Sequence, residues 1–246
     1  VVFLGDHENV PAQIIDTSNN FISDLYYVCM NGAGDYHPDM AKGRISADDP
    51  QEALRIVNKI ILYEKEPSCN QGFYNKGMNC AQFQDNEPDG YANRRFTHTS
   101  EEVRDYLLAK GYNINRVYST DTGINPLYYN DGYYSDGQAI PPALLRANGF
   151  QWDGDFNDIT NSINDGRFYV LHRDHGYSEG WGEPHFSIDN FDLLNNHELY
   201  PVIFSINCSS GKFYVNQCFS EELLSLNNSG AVGVVGASST SYSGYN

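Results

Sequence analysis

The chain has few basic residues for its size. Lys and Arg together number 15 among 246 residues, against 32 Asp and Glu, and the formal net charge is −17. No basic cluster is present to neutralise phosphates, which argues against a nucleic-acid partner. The sequence also lacks a run of about 18 apolar residues, so it predicts no membrane span. With 40% apolar and 14% aromatic residues, the chain is expected to fold as a globular protein.

Cysteine is also scarce, and its spacing excludes a common zinc site. Five cysteines are present, at positions 29, 69, 80, 208 and 218. None forms a CxxC pair or a paired Cys/His motif of the kind that binds zinc. Cys69 and Cys80 either form a local disulfide in an oxidising compartment or remain thiols, and the sequence leaves both alternatives open. An odd count leaves at least one free thiol, and we assign it to Cys208.

Two short apolar runs each end in a reactive side chain. Residues 168–171 precede His175 and Gly176, and residues 201–206 precede Cys208 and several small residues. Their length and their β-branched and aromatic content predict buried strands. The carboxyl ends of neighbouring parallel strands face one crevice, so His175 and Cys208 are expected to meet there.

A thiol and an imidazole in one crevice indicate nucleophilic catalysis. A free thiol, with a pKa of about 8.5, is only a few per cent ionised at neutral pH, and an imidazole can take its proton. The N–H groups of Gly176 and Cys208 are candidates to stabilise an oxyanion. The alternative is a core cysteine and a structural histidine. His172 is a second candidate base, but His175 is favoured because glycine follows it directly.

Several segments together resemble one family, the gingipains, which are bacterial cysteine peptidases. The matching segments are 43–47, 98–112, 175–181, 193–213, 218–224 and 230–239. The resemblance implies a caspase-like α/β fold, with a mainly parallel sheet flanked by helices. It also implies a catalytic dyad of Cys208 and His175, with Gly176 in the oxyanion hole. It further implies a secreted or cell-surface bacterial protein.

The resemblance also suggests residues for substrate binding. Gingipains carry an acidic residue at the base of the S1 pocket that favours a basic P1 residue, and Asp89 is the nearest match. The alternative for Asp89 is a surface turn, since Pro-Asp-Gly is a common turn sequence. Tyr242 is the nearest match to the aromatic wall of that pocket, and Trp181 is expected to line or cover the crevice.

Residues 153–158 have the oxygen-rich spacing of a calcium loop. Asp153, Asp155 and Asn157 alternate, but Asp158 stands where an EF-hand needs glycine. An irregular structural calcium site, which the resemblance also implies, and a simple helix cap remain as alternatives. No cofactor is required for the expected chemistry.

The sequence predicts two lobes and a peptidase. Residues 1–118 would form an N-terminal α/β lobe and residues 119–246 a caspase-like catalytic lobe, with a tyrosine-rich insertion at about 120–150. The expected function is a secreted cysteine endopeptidase that hydrolyses protein or peptide substrates through a thioester. Two alternatives remain: a catalytically silent binding module on the same fold, and acyl transfer to an amine by the same dyad. The oligomeric state is not predicted.

Overall fold

A computed structural model describes residues 1–16, 21–32, 34–131 and 136–242. Its strands are β1 Val2–Leu4, β2 Gln13–Asp16, β3 Phe21–Ser23, β4 Gly43–Ile45, β5 Lys76–Phe83, β6 Asn113–Thr120, β7 Tyr128–Asp131, β8 Asp136–Ala139, β9 Tyr169–Arg173, β10 Gly176–Tyr177, β11 Gly180–Trp181, β12 Phe186–Ser187, β13 Val202–Ile206 and β14 Gly233–Gly236. Its α-helices are α1 Pro50–Lys65, α2 Phe96–Ala109, α3 Phe156–Asn164 and α4 Phe219–Ser225. Among the described residues, no helix has the length and apolar character needed to cross a membrane.

A five-stranded parallel sheet organises the fold. Its strand order is β14-β13-β9-β5-β6, and every neighbouring pair runs parallel. α2 packs on β5, β6 and β9, and α4 packs on β14. The expected fold class, a mainly parallel sheet flanked by helices, is therefore confirmed.

Strand β5, which lies between β9 and β6, separates two apolar cores. Met78 and Cys80 belong to one core cluster, and Ala81 and Phe83 belong to the other. Since successive side chains of a strand point to opposite faces, the sheet is covered on both sides. Residues 77–83 are accordingly all buried. Burial on both faces leaves the ends of β5 as its accessible parts.

The sheet takes strands from both sides of the expected lobe boundary. Residue 118 falls inside β6, and β5 is hydrogen-bonded to both β6 and β9. The sheet therefore joins residues that the sequence analysis assigned to two lobes. The expected insertion at 120–150 contains the antiparallel β7–β8 pair. Residues 132–135, between these two strands in sequence, lie outside the described part of the chain. Tyr128 stacks on Tyr91, and Tyr129 is buried against His98.

The cysteines at 69 and 80 are both free thiols. Cys69 is exposed, whereas Cys80 lies fully buried in β5. The structure therefore has no disulfide between them, and the second alternative of the sequence analysis holds. Burial raises the pKa of Cys80 and likewise that of Cys218. Both of these buried thiols are expected to be inert.

Candidate active site

The strand register brings His175 and Cys208 together. β9 and β13 are parallel neighbours, and Ile206 pairs with Arg173, an offset of 33 residues. The same offset separates His175 from Cys208, because each lies two residues beyond the last paired residue of its strand. Both side chains line one cleft of about 210 Å³ at the carboxyl edge of the sheet. The described residues that line it are Arg94, Phe96, Arg173, Asp174, His175, Ile206, Asn207, Cys208, Ser241 and Tyr242.

The thiol of Cys208 is half-buried under the chain segment that follows β14. The Ser241 N–H group donates to Sγ at 3.4 Å, and the thiol donates to the Ser241 carbonyl oxygen at 3.5 Å. Ser209 adopts a left-handed conformation with φ of 59°, which is uncommon for a residue with a side chain. This sharp turn after β13 holds Cys208 at the sheet edge.

A glutamine orients the imidazole of His175. The Nε2 atom lies 3.0 Å from Oε1 of Gln84, and an amide oxygen can only accept, so Nε2–H is the donor. The Gln84 amide nitrogen donates to Asn86, which keeps its oxygen towards the histidine. The neutral ring then carries its lone pair on Nδ1. Partial burial lowers the pKa of His175, and the positive charge of Arg94 lowers it further. The ring is therefore suited to accept a proton near neutral pH.

The other histidine of this stretch is structural. His172 is fully buried and stacks on Trp181 with ring centroids 4.4 Å apart. Its Nε2–H donates to the Glu183 carbonyl oxygen at 3.2 Å, and its Nδ1 accepts from Nδ2 of Asn207 at 2.8 Å. Burial lowers the pKa of His172 to about 3, so the ring stays neutral. The structure thus supports His175 over His172 as the candidate base.

Asn207 directly precedes Cys208 and packs against Gly176, the residue that follows His175. Its Nδ2 also donates to Oγ of Ser205 at 2.8 Å, which fixes the side chain directly before Cys208. A Cβ atom at position 176 would lie 2.5 Å from Cγ of Asn207, closer than side chains can pack. Gly176 is therefore required by close packing, in addition to any contact with a substrate.

A buried carboxyl lies in the wall of the cleft. Oδ2 of Asp174 accepts from the Glu183 N–H at 2.7 Å, whereas Oδ1 has no hydrogen-bond partner among the described residues. Desolvation raises the pKa of Asp174 to about 7. Asp174 is therefore protonated in much of the folded population below neutral pH.

The three residues predicted to bind substrate differ in their position relative to the cleft. Tyr242 is exposed and lines the cleft. Trp181 is fully buried, and its Nε1–H donates to Oγ of Ser205, which corrects the expectation that it lines or covers the crevice. Asp89 is exposed outside the cleft, and its Oδ1 accepts from the Tyr91 N–H at 2.9 Å, as in the turn alternative.

The residues predicted for calcium lie at the start of α3. Oδ1 of Asp155 accepts from the N–H groups of Asn157 and Asp158, and Oδ2 accepts from Nδ2 of Asn157. Both oxygens of this carboxylate thus serve the helix cap. Asp153 is exposed and forms a backbone bridge with Ser119. No group of three or more His, Cys, Asp or Glu side chains in the described ranges could hold a metal ion. The calcium site stays a prediction.

Comparison with known proteins gives the family. The sequence model described as peptidase family C25 matches residues 1–246. The chain belongs to this family. Lys-gingipain of Porphyromonas gingivalis is 24% identical to it over 224 residues, which cover 91% of the chain and 11% of that relative. The resemblance to the gingipains is thereby confirmed, and the C25 chain described here spans a small part of that relative's length.

Solved structures show the same fold. A crystal structure of the Arg-specific cysteine proteinase gingipain R matches with a TM-score of 0.74 and 22% identity, over 98% of this chain and 49% of that one. A complex of the pro- and mature domains of RgpB from P. gingivalis matches with a TM-score of 0.73 and 21% identity, over 98% and 50%. The C25 chain therefore has the caspase-like fold.

Sequence reasoning missed Gln84, Arg94 and Asn207. Gln84 directly follows β5, which lies beside β9, so the strand-end argument that found His175 applies to it equally. Asn207 directly follows β13 and precedes Cys208, so the same strand-end argument applies to it. Arg94 lies in the long segment between β5 and α2, where no periodic pattern indicates which side chains approach the cleft.

Proposed function

We propose that this C25 chain hydrolyses peptide bonds with Cys208 as the nucleophile and His175 as the general base. The observation that supports the proposal is the presence of both side chains in one cleft, at the carboxyl ends of neighbouring parallel strands. The Ser241 N–H beside the sulfur and the Gln84 contact to the imidazole support it further. Substrates would be proteins or peptides, and export from the cell, which rests on the family resemblance, belongs to the same proposal.

The reaction would proceed in two acyl-transfer steps. Nδ1 of His175 takes the thiol proton as the Cys208 sulfur attacks the scissile carbonyl carbon. The N–H groups of Gly176 and Cys208 are the proposed donors to the oxyanion. The imidazolium then protonates the leaving amine, and a thioester remains on the sulfur. Water, deprotonated by His175, attacks the thioester carbon, and the acid leaves with the thiol restored.

Cleavage of an unstructured protein such as casein tests the proposal. The wild-type chain is expected to release peptides, and Cys208→Ala is expected to release none above the uncatalysed background. Cys69→Ala, which removes an exposed thiol outside the cleft, should cleave like the wild type. A folded wild-type chain that cleaves nothing would reject the proposal and favour a binding module.

Replacing Gln84 by Glu is expected to move the pH dependence of kcat/KM. A carboxylate 3.0 Å from Nε2 stabilises the imidazolium, so the pKa of His175 rises. The acidic limb of the profile should shift upwards by about one pH unit, because His175 must be neutral to accept the thiol proton. Gln84→Ala removes the contact without adding charge and should lower kcat with a much smaller shift of that limb. Equal profiles for the wild type and Gln84→Glu would exclude this positioning role.

The relatives are named for Lys and Arg, which makes a basic P1 residue the first expectation for this chain. That expectation needs an acidic group in the pocket that receives the P1 side chain. Asp89, the residue predicted for this role, lies outside the cleft.

A further inference from the structure

We propose that Asn207 is a positioning residue for the oxyanion site, where its side chain holds the backbone N–H groups of Gly176 and Cys208 in their relative places. This role rests on the proposed peptidase function and belongs to a residue outside the Cys208–His175 pair. The Asn207 side chain acts through the two N–H groups and takes no part in bond making.

The two proposed oxyanion donors lie beyond the last strand pairing that joins their segments. The β9–β13 ladder ends where Arg173 pairs with Ile206. Gly176 opens β10, three residues after Arg173, and Cys208 lies in the turn two residues after Ile206. Two N–H groups stabilise an oxyanion only when both point at one place about 3 Å away. Their relative position therefore depends on contacts other than this ladder.

The N–H group of Gly176 points away from β11. Gly176 pairs with Trp181 in the antiparallel β10–β11 ladder. In the pair before it, the Gly182 N–H donates to the His175 carbonyl oxygen at 2.8 Å. Because hydrogen-bonded and non-hydrogen-bonded pairs alternate in such a ladder, Gly176 and Trp181 form a non-hydrogen-bonded pair. The N–H of Gly176 is thus directed to the outer side of β10.

The Asn207 side chain lies directly against this glycine. A Cβ atom at position 176 would be 2.5 Å from both Cγ and Oδ1 of Asn207. Such a distance leaves room for a glycine Cα and for nothing larger, so the two residues are in contact between the two chain segments. Asn207 also directly precedes Cys208. A change in its side chain therefore alters the support of both N–H groups.

A histidine with fixed roles at both ring nitrogens orients the Asn207 amide. The Glu183 carbonyl oxygen can only accept, so His172 donates to it from Nε2. The neutral His172 ring then accepts at Nδ1, and the donor is Nδ2 of Asn207 at 2.8 Å. This hydrogen bond joins the residue after β13 to β9, two positions further along the chain than the backbone pairing of Ser205 with His172.

Ser205 completes the network on the β13 side. Its Oγ accepts from Nδ2 of Asn207 and from the Trp181 indole N–H, and it donates to Oγ of Ser210. All of these side chains are buried, which shields their hydrogen bonds from water. With its nitrogen bound to two partners, the amide presents Oδ1 to Gly176, and Oδ1 has no hydrogen-bond partner among the described residues. Asn207 therefore supports Gly176 and leaves its N–H available to a substrate.

Asn207→Ala tests this role through two reactions of the same sulfur. Peptide cleavage passes through an oxyanion, whereas iodoacetamide is attacked at a saturated carbon and loses iodide, so alkylation needs no oxyanion site. The substrate is a fluorogenic peptide built on a casein site that the wild type cleaves. We expect kcat to fall by about 100-fold, the range for loss of one oxyanion donor, with KM within about threefold of the wild type. Alkylation of Cys208 should stay within about twofold, because it depends on the thiolate.

His172→Phe is a second variant, which also serves where Asn207→Ala does not fold. It keeps an aromatic ring against Trp181 and removes the acceptor of the Asn207 amide nitrogen. The same pattern is expected with a smaller fall in kcat, about tenfold. Asn115→Ala, on an exposed position of β6 outside the cleft lining, is the matched control and should leave kcat, KM and alkylation unchanged.

The outcomes separate this role from the peptidase function. Equal losses of cleavage and alkylation in a folded variant would show that Asn207 holds the sulfur or the fold, and would overturn the positioning role with the peptidase function intact. Unchanged cleavage by both variants would overturn it too. A folded wild-type chain that cleaves no site in casein would overturn the peptidase function and the positioning role with it.

Discussion

Replacement of His175 by Ala is expected to lower kcat/KM by about 10⁴–10⁶-fold, the range seen when a residue of a nucleophile–base unit is removed. Without the imidazole, the thiol of Cys208 loses its proton acceptor, and the leaving amine loses its proton donor. The loss should be similar to that of Cys208→Ala and should not add to it in the double variant, because the two residues act as one unit.

The control for this variant is His37→Ala. His37 is an exposed histidine remote from the cleft lining, so its removal should leave kcat/KM unchanged. Thermal unfolding of both variants should match the wild type. A loss below about tenfold for a folded His175→Ala chain would assign the base to another residue.

Replacement of Asp174 by Asn is expected to stabilise the fold at alkaline pH. The folded-state pKa of Asp174, about 7, lies above its ordinary value because the charged form is desolvated. Ionisation of this buried carboxyl therefore costs stability as the pH rises through about 4 to 7. The shift of about three pH units corresponds to roughly 4 kcal/mol, and we expect Asp174→Asn to raise the free energy of unfolding by about 2–4 kcal/mol at pH 8.

The same substitution should have little effect at pH 4, where the carboxyl is protonated in the folded state and partly so in the unfolded state. The Asn side chain keeps an oxygen that can accept from the Glu183 N–H. Asp105→Asn, on the exposed face of α2, is the matched control and should change stability little at either pH. An equal effect of Asp174→Asn at pH 4 and pH 8 would show that packing, and not ionisation, sets its contribution.

The proximity of His175 and Cys208 could be predicted from the sequence because its signal is local. Each candidate residue closes a short apolar run, and the two runs become β9 and β13, which are adjacent and parallel. The environment of these two side chains could not be predicted in the same way. Gln84 reaches His175 across 91 positions of sequence, and Arg94 approaches from an irregular segment. Such contacts depend on tertiary packing, which periodicity does not encode.

Trp181 and β5 are two further features that the sequence pattern did not predict correctly. The short strands β10, β11 and β12 form a small antiparallel sheet, in which Trp181 pairs with Gly176. The buried Trp181 ring stacks on His172. The sequence analysis had instead expected Trp181 to line or cover the crevice. β5 contains the polar residues Asn79 and Gln82, which weaken the apolar pattern expected of a strand buried on both faces. Asn79 is nevertheless buried, because its Nδ2 donates to the Ser100 carbonyl oxygen at 2.7 Å.

The central claim is that His175 activates the thiol of Cys208. Alkylation by iodoacetamide at pH 6 to 7, followed by mass spectrometry of each cysteine, tests it most directly. Cys69 is an exposed internal reference, and burial keeps Cys80 and Cys218 unreactive. We predict that Cys208 is alkylated faster than Cys69 in the wild type and that His175→Ala abolishes the difference. Slow alkylation of Cys208, at a rate that His175→Ala leaves unchanged, would contradict the claim.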